Sequence, residues 1–276
     1  MILPNTIYKI SGLPIRLYYD QLPTISTAVN GIYPFANYLK INKDGAQFTV
    51  TIDGQVVTIV PRQQVNLNKR VLLIGDSIFA RGDVTNRLQE LDTSLTIINE
   101  GRGGWKAYDF ARKDESPFRF NEALDFNQYL NGAPPPDVVV IHLGINDVFG
   151  YTDDAVAALM ITKSRQYIEE LLAILPCPVI QCLPIAPAAS QDGFALRYGT
   201  AQTLGRYQRN RDMLIAEYTC NLSTTQLHSN HCIDPHYDFE TVEVDGRVMV
   251  NDPIHPTVQG MNKLADVIYA HILGMF

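Results

Sequence analysis

The chain has 276 residues, 46% of them hydrophobic and 18% charged, with a net charge of −7 and a mean hydropathy of −0.04. That composition suits a folded protein with one sizeable α/β core and room for a smaller module. An acidic balance without any Lys/Arg cluster excludes the electrostatic footprint of a nucleic-acid or anionic-lipid binder. No apolar run approaches the roughly 18–20 residues that span a membrane. The opening residues, Met1-Ile2-Leu3-Pro4, lack the basic stretch and apolar core of a signal peptide. The sequence as given reads as soluble, with secretion or a cell-surface or virion location left open.

Residues 1–66 are rich in Tyr, Ile, Val and Thr, broken by Pro and Gly, and show no helical period. From Gln47 to Val60, apolar and polar residues alternate on both sides of Asp53-Gly54. That pattern predicts a β-hairpin, because both turn positions need positive φ. The region is expected to be a small β-rich accessory module, joined by a linker over 61–69 to an α/β domain over 70–276.

From Arg70 the pattern alternates between strands and helices. Buried strands are predicted at Val71–Ile74, Leu95–Ile98, Val138–Leu143 and Val179–Leu183, as short continuous apolar runs. Helical periodicity follows from a cap near Asp83, then over Asp154–Leu175, Gln202–Tyr218 and Thr257–Leu273. Ala133-Pro134-Pro135-Pro136 is a stiff, non-helical connector. A second hairpin is expected at Asp245-Gly246. The alternation argues for an open parallel sheet with helices on both faces.

Four cysteines, Cys177, Cys182, Cys220 and Cys232, allow three pairings. Cys177 and Cys182 flank a buried strand and read as packing residues. Cys220 and Cys232 bracket a loop-like stretch and could bond in an oxidising compartment, which cysteine usage leaves undecided.

In open α/β sheets, ligands bind beyond the carboxyl ends of the strands. Three small-residue turns fall there: Gly75-Asp76-Ser77, the stretch Asn99 to Trp105, and Gly144-Ile145-Asn146-Asp147. Ser77 needs an adjacent base to become a nucleophile. Of six histidines, His142 lies in an apolar strand and His271 in the last helix, where packing roles are the default. His228, His231 and His236 share a loop but match none of the regular zinc spacings. His255 differs, because Asp252-Pro253-Ile254-His255 can bring a carboxylate beside the imidazole in a local turn.

Gly-Asp-Ser after the first strand, Asn-x-Gly-x-x-Gly after the second, Gly-x-Asn-Asp after the third and Asp-x-x-His near the C-terminus occur in that order. This set resembles the SGNH hydrolase family, also called GDSL esterases/lipases, over about residues 70–276. Ile78 stands where the name-giving motif has Leu. The resemblance implies a flavodoxin-like three-layer α/β/α sandwich and a serine hydrolase acting on ester bonds without metal or organic cofactor. It implies Ser77 as nucleophile, with Asp252 and His255 completing the triad. The oxyanion hole would be the backbone N–H of Ser77, the backbone N–H of Gly104 and the side-chain amide of Asn146. Asp76 and Asp147 are read as structural.

The family spans carbohydrate O-acetylesterases, lipases, lysophospholipases and thioesterases, and deacetylation of a glycan is the expected activity. Trp105, beside Gly104, is a candidate substrate contact. The Tyr-rich N-terminal module suggests polysaccharide binding or docking to a larger assembly. The non-enzymatic alternative is a silent adhesion or assembly module, such as part of a phage tail. A flavin- or nucleotide-binding protein would need a phosphate-cradling loop after the first strand, and Gly75-Asp76-Ser77 is short and acidic for that.

Overall fold

The computed structural model describes residues 66–190, 195, 197, 203–228 and 232–276, and the backbone of six strands between residues 7 and 59. The chain divides into two compact units, Met1–Val65 and Asn66–Phe276.

In the first unit, β1 (Ile7–Ile10) pairs antiparallel with β2 (Leu13–Arg16). The strands β3 (Gly31–Tyr33), β4 (Leu39–Asp44), β5 (Gln47–Ile52) and β6 (Gln55–Ile59) form an antiparallel four-stranded sheet in chain order. Ile52 stands opposite Gln55, so β5 and β6 are joined as the hairpin pattern predicts. Asp53 and Gly54 themselves lie outside the described residues.

The second unit is built on five parallel strands: β7 (Arg70–Gly75), β8 (Thr96–Gly101), β11 (Val138–His142), β12 (Val179–Cys182) and β13 (Thr225–Leu227). Their spatial order is β13-β12-β11-β7-β8, the doubly wound order whose switch point lies between β7 and β11. Successive residues of a strand face opposite sides, and here both sides are covered. Val71 and Leu73 of β7, with Val138 and Val140 of β11, face one apolar cluster. Leu72 and Ile74, with Val139 and Ile141, face the other. Continuous Val/Leu/Ile runs are what such doubly covered strands need.

On the first face lie α2 (Asp83–Leu91) and α8 (Val258–Leu273), through Val84, Leu88, Met261, Leu264 and Ile268. On the second lie α3 (Ala107–Arg112), α6 (Asp154–Ile174) and α7 (Leu204–Asn221), through Phe110, Ile161, Ile168, Leu214 and Tyr218. The result is the expected three-layer sandwich. Short helices α1 (Ser77–Ala80), α4 (Phe126–Leu130) and α5 (Ile145–Val148) sit between the main elements, as does a small hairpin of β9 (Arg119–Phe120) and β10 (Ala123–Leu124). Among the described residues, no helix is long and apolar enough to cross a membrane.

Several details depart from the pattern reading. The fifth strand, β13, was not anticipated, and β8 runs on to Gly101. The cap of α2 is Gly82, with φ +82 and no side-chain bond, and Asp83 is the first helical residue. The hairpin of β14 (Thr241–Val244) and β15 (Arg247–Val250) turns on Asp245 and Gly246. Both turn residues have positive φ, 50° and 73°, as an Asp-Gly turn requires.

None of Cys177, Cys182, Cys220 and Cys232 is joined in a disulfide. Cys220 is exposed on α7, whereas Cys232 packs against the cluster on the opposite face of the sheet.

Gly144 has φ +114, and a Cβ there would stand 2.2 Å from the buried Tyr218 hydroxyl. Gly82 has φ +82 but open space around it. We expect Gly144→Ala to cost at least about 2 kcal/mol in urea unfolding, from backbone strain plus overpacking. Gly82→Ala should cost only about 1 kcal/mol, from strain alone.

Candidate active site

The carboxyl ends of β7, β8 and β11 are level, with Gly75 opposite Gly101 on one side and His142 on the other. Each strand then breaks into a turn, and the three turns share one rim.

The β7 turn is held by Asp76. Its carboxylate caps α1 by accepting from the Ile78 N–H at 3.0 Å and meets His142 Nδ1 at 3.2 Å. Both side chains are buried. His142 thus packs in the core, as its strand position suggests, and supports the turn from below. Its Nε2 is buried without a partner. Ser77 opens α1, where the first N–H groups of a helix have no partner within it.

The β8 turn is tied to the same helix. Asn99 Nδ2 donates to the Phe79 carbonyl and to Thr85 Oγ1, both at 2.8 Å, and Asn99 Oδ1 accepts from the Gly101 N–H. The Arg102 N–H donates to the Gly75 carbonyl at 2.8 Å. Gly104 has φ +74, a conformation that favours glycine.

In the β11 turn, Asn146 donates one amide N–H to the Trp105 carbonyl at 3.1 Å. An amide nitrogen carries two hydrogens, so the second remains for another acceptor. Asp147 accepts from the Ala107 N–H at 2.9 Å, which fastens this turn to the start of α3. Burial pushes the Asp147 carboxyl up to about 6, against the opposing pull of the Ala107 and Tyr108 N–H groups. Trp105 is partly exposed, packs edge-on against Phe110, and carries the Arg102 guanidinium 4.4 Å from its ring centroid.

His255 reaches the rim from the segment before α8. Asp252 Oδ1 accepts the N–H groups of Ile254 and His255, each at 3.1 Å, forming a tight local turn. Its Oδ2 lies 2.8 Å from His255 Nδ1, and His255 Nε2 lies 2.8 Å from Ser77 Oγ. An imidazole donating from Nδ1 to the carboxylate leaves Nε2 free to accept the serine hydroxyl. Partial burial works against ionisation of Asp252, but bonds from the His255 ring and the two backbone N–H groups outweigh it and hold it at about 2.

Further ties hold this segment. Asp238 is buried, accepts from Lys263 Nζ at 2.7 Å, and offers its carbonyl to the Thr257 N–H. The Pro253 carbonyl accepts from the Ala188 N–H at 2.7 Å. Arg81 Nη1 donates to the Pro256 carbonyl at 2.9 Å. Arg211, also buried, donates to the Pro184 and Ile185 carbonyls beyond β12. Arg81, Asp238 and Arg211 belong to no motif, and no local pattern in the sequence marks them. Of the loop histidines, His228 and His236 are exposed, and His231 lies outside the described residues.

The arrangement thus joins Ser77, His255 and Asp252 by consecutive hydrogen bonds, with the Gly104 turn and Asn146 on the same rim. Such a set can activate a hydroxyl and present neutral donors to a developing oxyanion.

A sequence profile described as the GDSL-like Lipase/Acylhydrolase family matches residues 73–263. A search of curated proteins finds no match. Among solved structures, a GDSL-like lipase from Bacteroides thetaiotaomicron is similar at 20% identity over 76% of this chain and 90% of that one, with a TM-score of 0.49. The carbohydrate acetylesterase Est24 from Sinorhizobium meliloti is similar at 17% identity over 75% and 100%, with a TM-score of 0.47. A lipase/acylhydrolase from Enterococcus faecalis is similar at 17% identity over 75% and 96%, with a TM-score of 0.49.

The depressed Asp252 carboxyl has a consequence for acid stability. Its folded value, about 2, lies below the unfolded value of 3.8. The stabilisation is therefore present above pH 4 and is lost as pH falls from about 4 through 2. With a discount for solvent screening, about 1–2 kcal/mol should disappear over that window. In Asp252→Asn, the difference in unfolding free energy between pH 7 and pH 2 should shrink by that amount.

Proposed function

The chain belongs to the GDSL-like lipase/acylhydrolase family, and within it we propose a serine esterase that works through an acyl-enzyme, with an O-acetylated carbohydrate as substrate. The observation that carries this reading is the pair of consecutive hydrogen bonds, Ser77 Oγ to His255 Nε2 and His255 Nδ1 to Asp252 Oδ2, both at 2.8 Å.

Ser77 attacks the ester carbonyl while His255 Nε2 takes the hydroxyl proton. Asp252, ionised at any pH above about 2, holds the ring in the productive tautomer and stabilises the imidazolium. The carbonyl oxygen becomes an oxyanion, to which the N–H groups of Ser77 and Gly104 and the second N–H of Asn146 would donate. The alcohol departs with the proton from His255. Water then attacks the acyl carbonyl, giving its proton to His255, and Ser77 is released when that proton returns to its oxygen. Every step is a proton or acyl transfer among these groups, and none calls on a metal or organic cofactor.

The carbohydrate preference rests on the aromatic residues that follow Gly104 in the chain. Trp105 is partly exposed next to Gly104, and Tyr108 is exposed at the start of α3. Arg102, lying over Trp105, adds a hydrogen-bond donor suited to hydroxyl groups.

A fluorophosphonate probe should label the wild-type protein at Ser77 and leave Ser77→Ala unlabelled. Ser77→Ala should also lose at least about a thousandfold in turnover. Acetate release from acetylated xylans and other O-acetyl glycans should exceed hydrolysis of long-chain acyl esters and acyl thioesters. Faster cleavage of the long chains would point instead to a lipase, lysophospholipase or thioesterase. Asn146→Ala should lower kcat by about 100- to 1000-fold with little change in KM, as expected for a donor that acts on the transition state.

A further inference from the structure

Ser77 and His255 are 178 positions apart, on segments with separate supports. The helix α1 is anchored by Asp76 and Asn99. The histidine segment is anchored through Asn251 to Glu240, Pro253 to Ala188 and Thr257 to Asp238, none of which belongs to the nucleophile turn. Apart from His255–Ser77 itself, the only hydrogen bond between 77–81 and 251–256 among the described residues comes from Arg81. It directly follows α1, and Gly82, with φ +82, turns the chain away behind it. Its Nη1 donates at 2.9 Å to the carbonyl of Pro256, the residue after His255. Its Nε lies 3.1 Å from Asp83 Oδ2.

We propose that Arg81 is a positioning residue for the reaction, a strut that sets the spacing between the serine helix and the histidine segment. The inference rests on Ser77 and His255 being the reacting pair. A guanidinium suits the task because it donates to the Pro256 carbonyl from one nitrogen while its delocalised charge stays paired with the Asp83 carboxylate, which lies close without an aligned hydrogen bond. A lysine ammonium is a compact charge on a flexible stem and serves the carbonyl and the carboxylate together less well. The side chain is one-third exposed, so a small cation in solution can enter the space left when it is removed. The strut touches neither the bound ester nor the reacting atoms. Its effect should therefore fall on the chemical step, where a misplacement of about 1 Å costs up to about 100-fold, rather than on substrate binding.

The test uses the full chain and p-nitrophenyl acetate, with Ser77→Ala, Arg81→Ala and Arg81→Lys beside the wild type. Arg81→Ala should lose about 10- to 100-fold in kcat with KM changed by less than about threefold. Millimolar guanidinium should restore much of that loss and leave the wild type unaffected. Arg81→Lys should fall between the two, and thermal unfolding should show all variants folded at the assay temperature. Wild-type kcat in Arg81→Ala, with Ser77→Ala inactive, would overturn the strut and leave the esterase reading intact. A loss that neither guanidinium nor lysine recovers would also overturn it, as general destabilisation. Should Arg81→Ala not fold, Arg81→Lys decides: reduced kcat at constant KM supports the strut, and wild-type kcat overturns it. Turnover retained in Ser77→Ala would remove the esterase reading and the strut together.

Discussion

The level ending of three parallel strands is the constraint on which the site depends. Parallel pairing sets Gly75 beside Gly101 and beside His142, so that the turns carrying Ser77, Gly104 and Asn146 leave the sheet at one height. The glycines let the next layer come down onto the strand ends. A Cβ on Gly101 would stand 2.5 Å from the Ala80 backbone nitrogen, and one on Gly75 would stand 2.6 Å from the Phe79 ring. The serine helix can rest there only because those side chains are missing. Sheet register and helix placement are therefore one condition, met by small residues where the strands stop.

Above that base, single side chains serve two neighbouring parts at once. Asp76 caps the serine helix and meets His142. Asn99 ties the β8 turn to the serine helix, and Asn146 and Asp147 tie the β11 turn to the Trp105–Ala107 stretch. The two rim carboxylates show how environment separates like groups. Asp252, beside an imidazole and two backbone donors, is held at about 2. Asp147, deeply buried, is pushed up to about 6 despite similar donors. The first suits a permanent charge behind a histidine, the second a structural brace.

Much of this was legible in the chain. Continuous runs such as Val138–Ile141 can be buried on both faces only in a covered parallel sheet, and the Asp-Gly at 245–246 can make only a narrow set of turns. Asp252 and His255 were readable because their spacing closes a local turn on itself. Features made by distant partners were not readable. Thr225-Gln226-Leu227 is too short to announce an edge strand, and it pairs only because β12 lies beside it. The Asn146–Trp105 bond and the reach of Arg81 to Pro256 depend on which turns become neighbours, which no local pattern encodes. Whether Cys220 and Cys232 meet is likewise not readable, because closeness along a loop says nothing about which face of the sheet each end meets.

The site is assembled from both ends of its unit, and that has a consequence for when the protein can work. The helix that follows His255 docks on the face already covered by α2, through Met261, Leu264 and Ile268. During synthesis Ser77 emerges well before His255, so on this reading a nascent chain carries an inert hydroxyl until α8 settles. Likewise, a fluctuation that peels away only that helix would silence the enzyme while the sheet stays folded. Ester turnover would therefore report the docking of α8 more sensitively than any probe of overall unfolding.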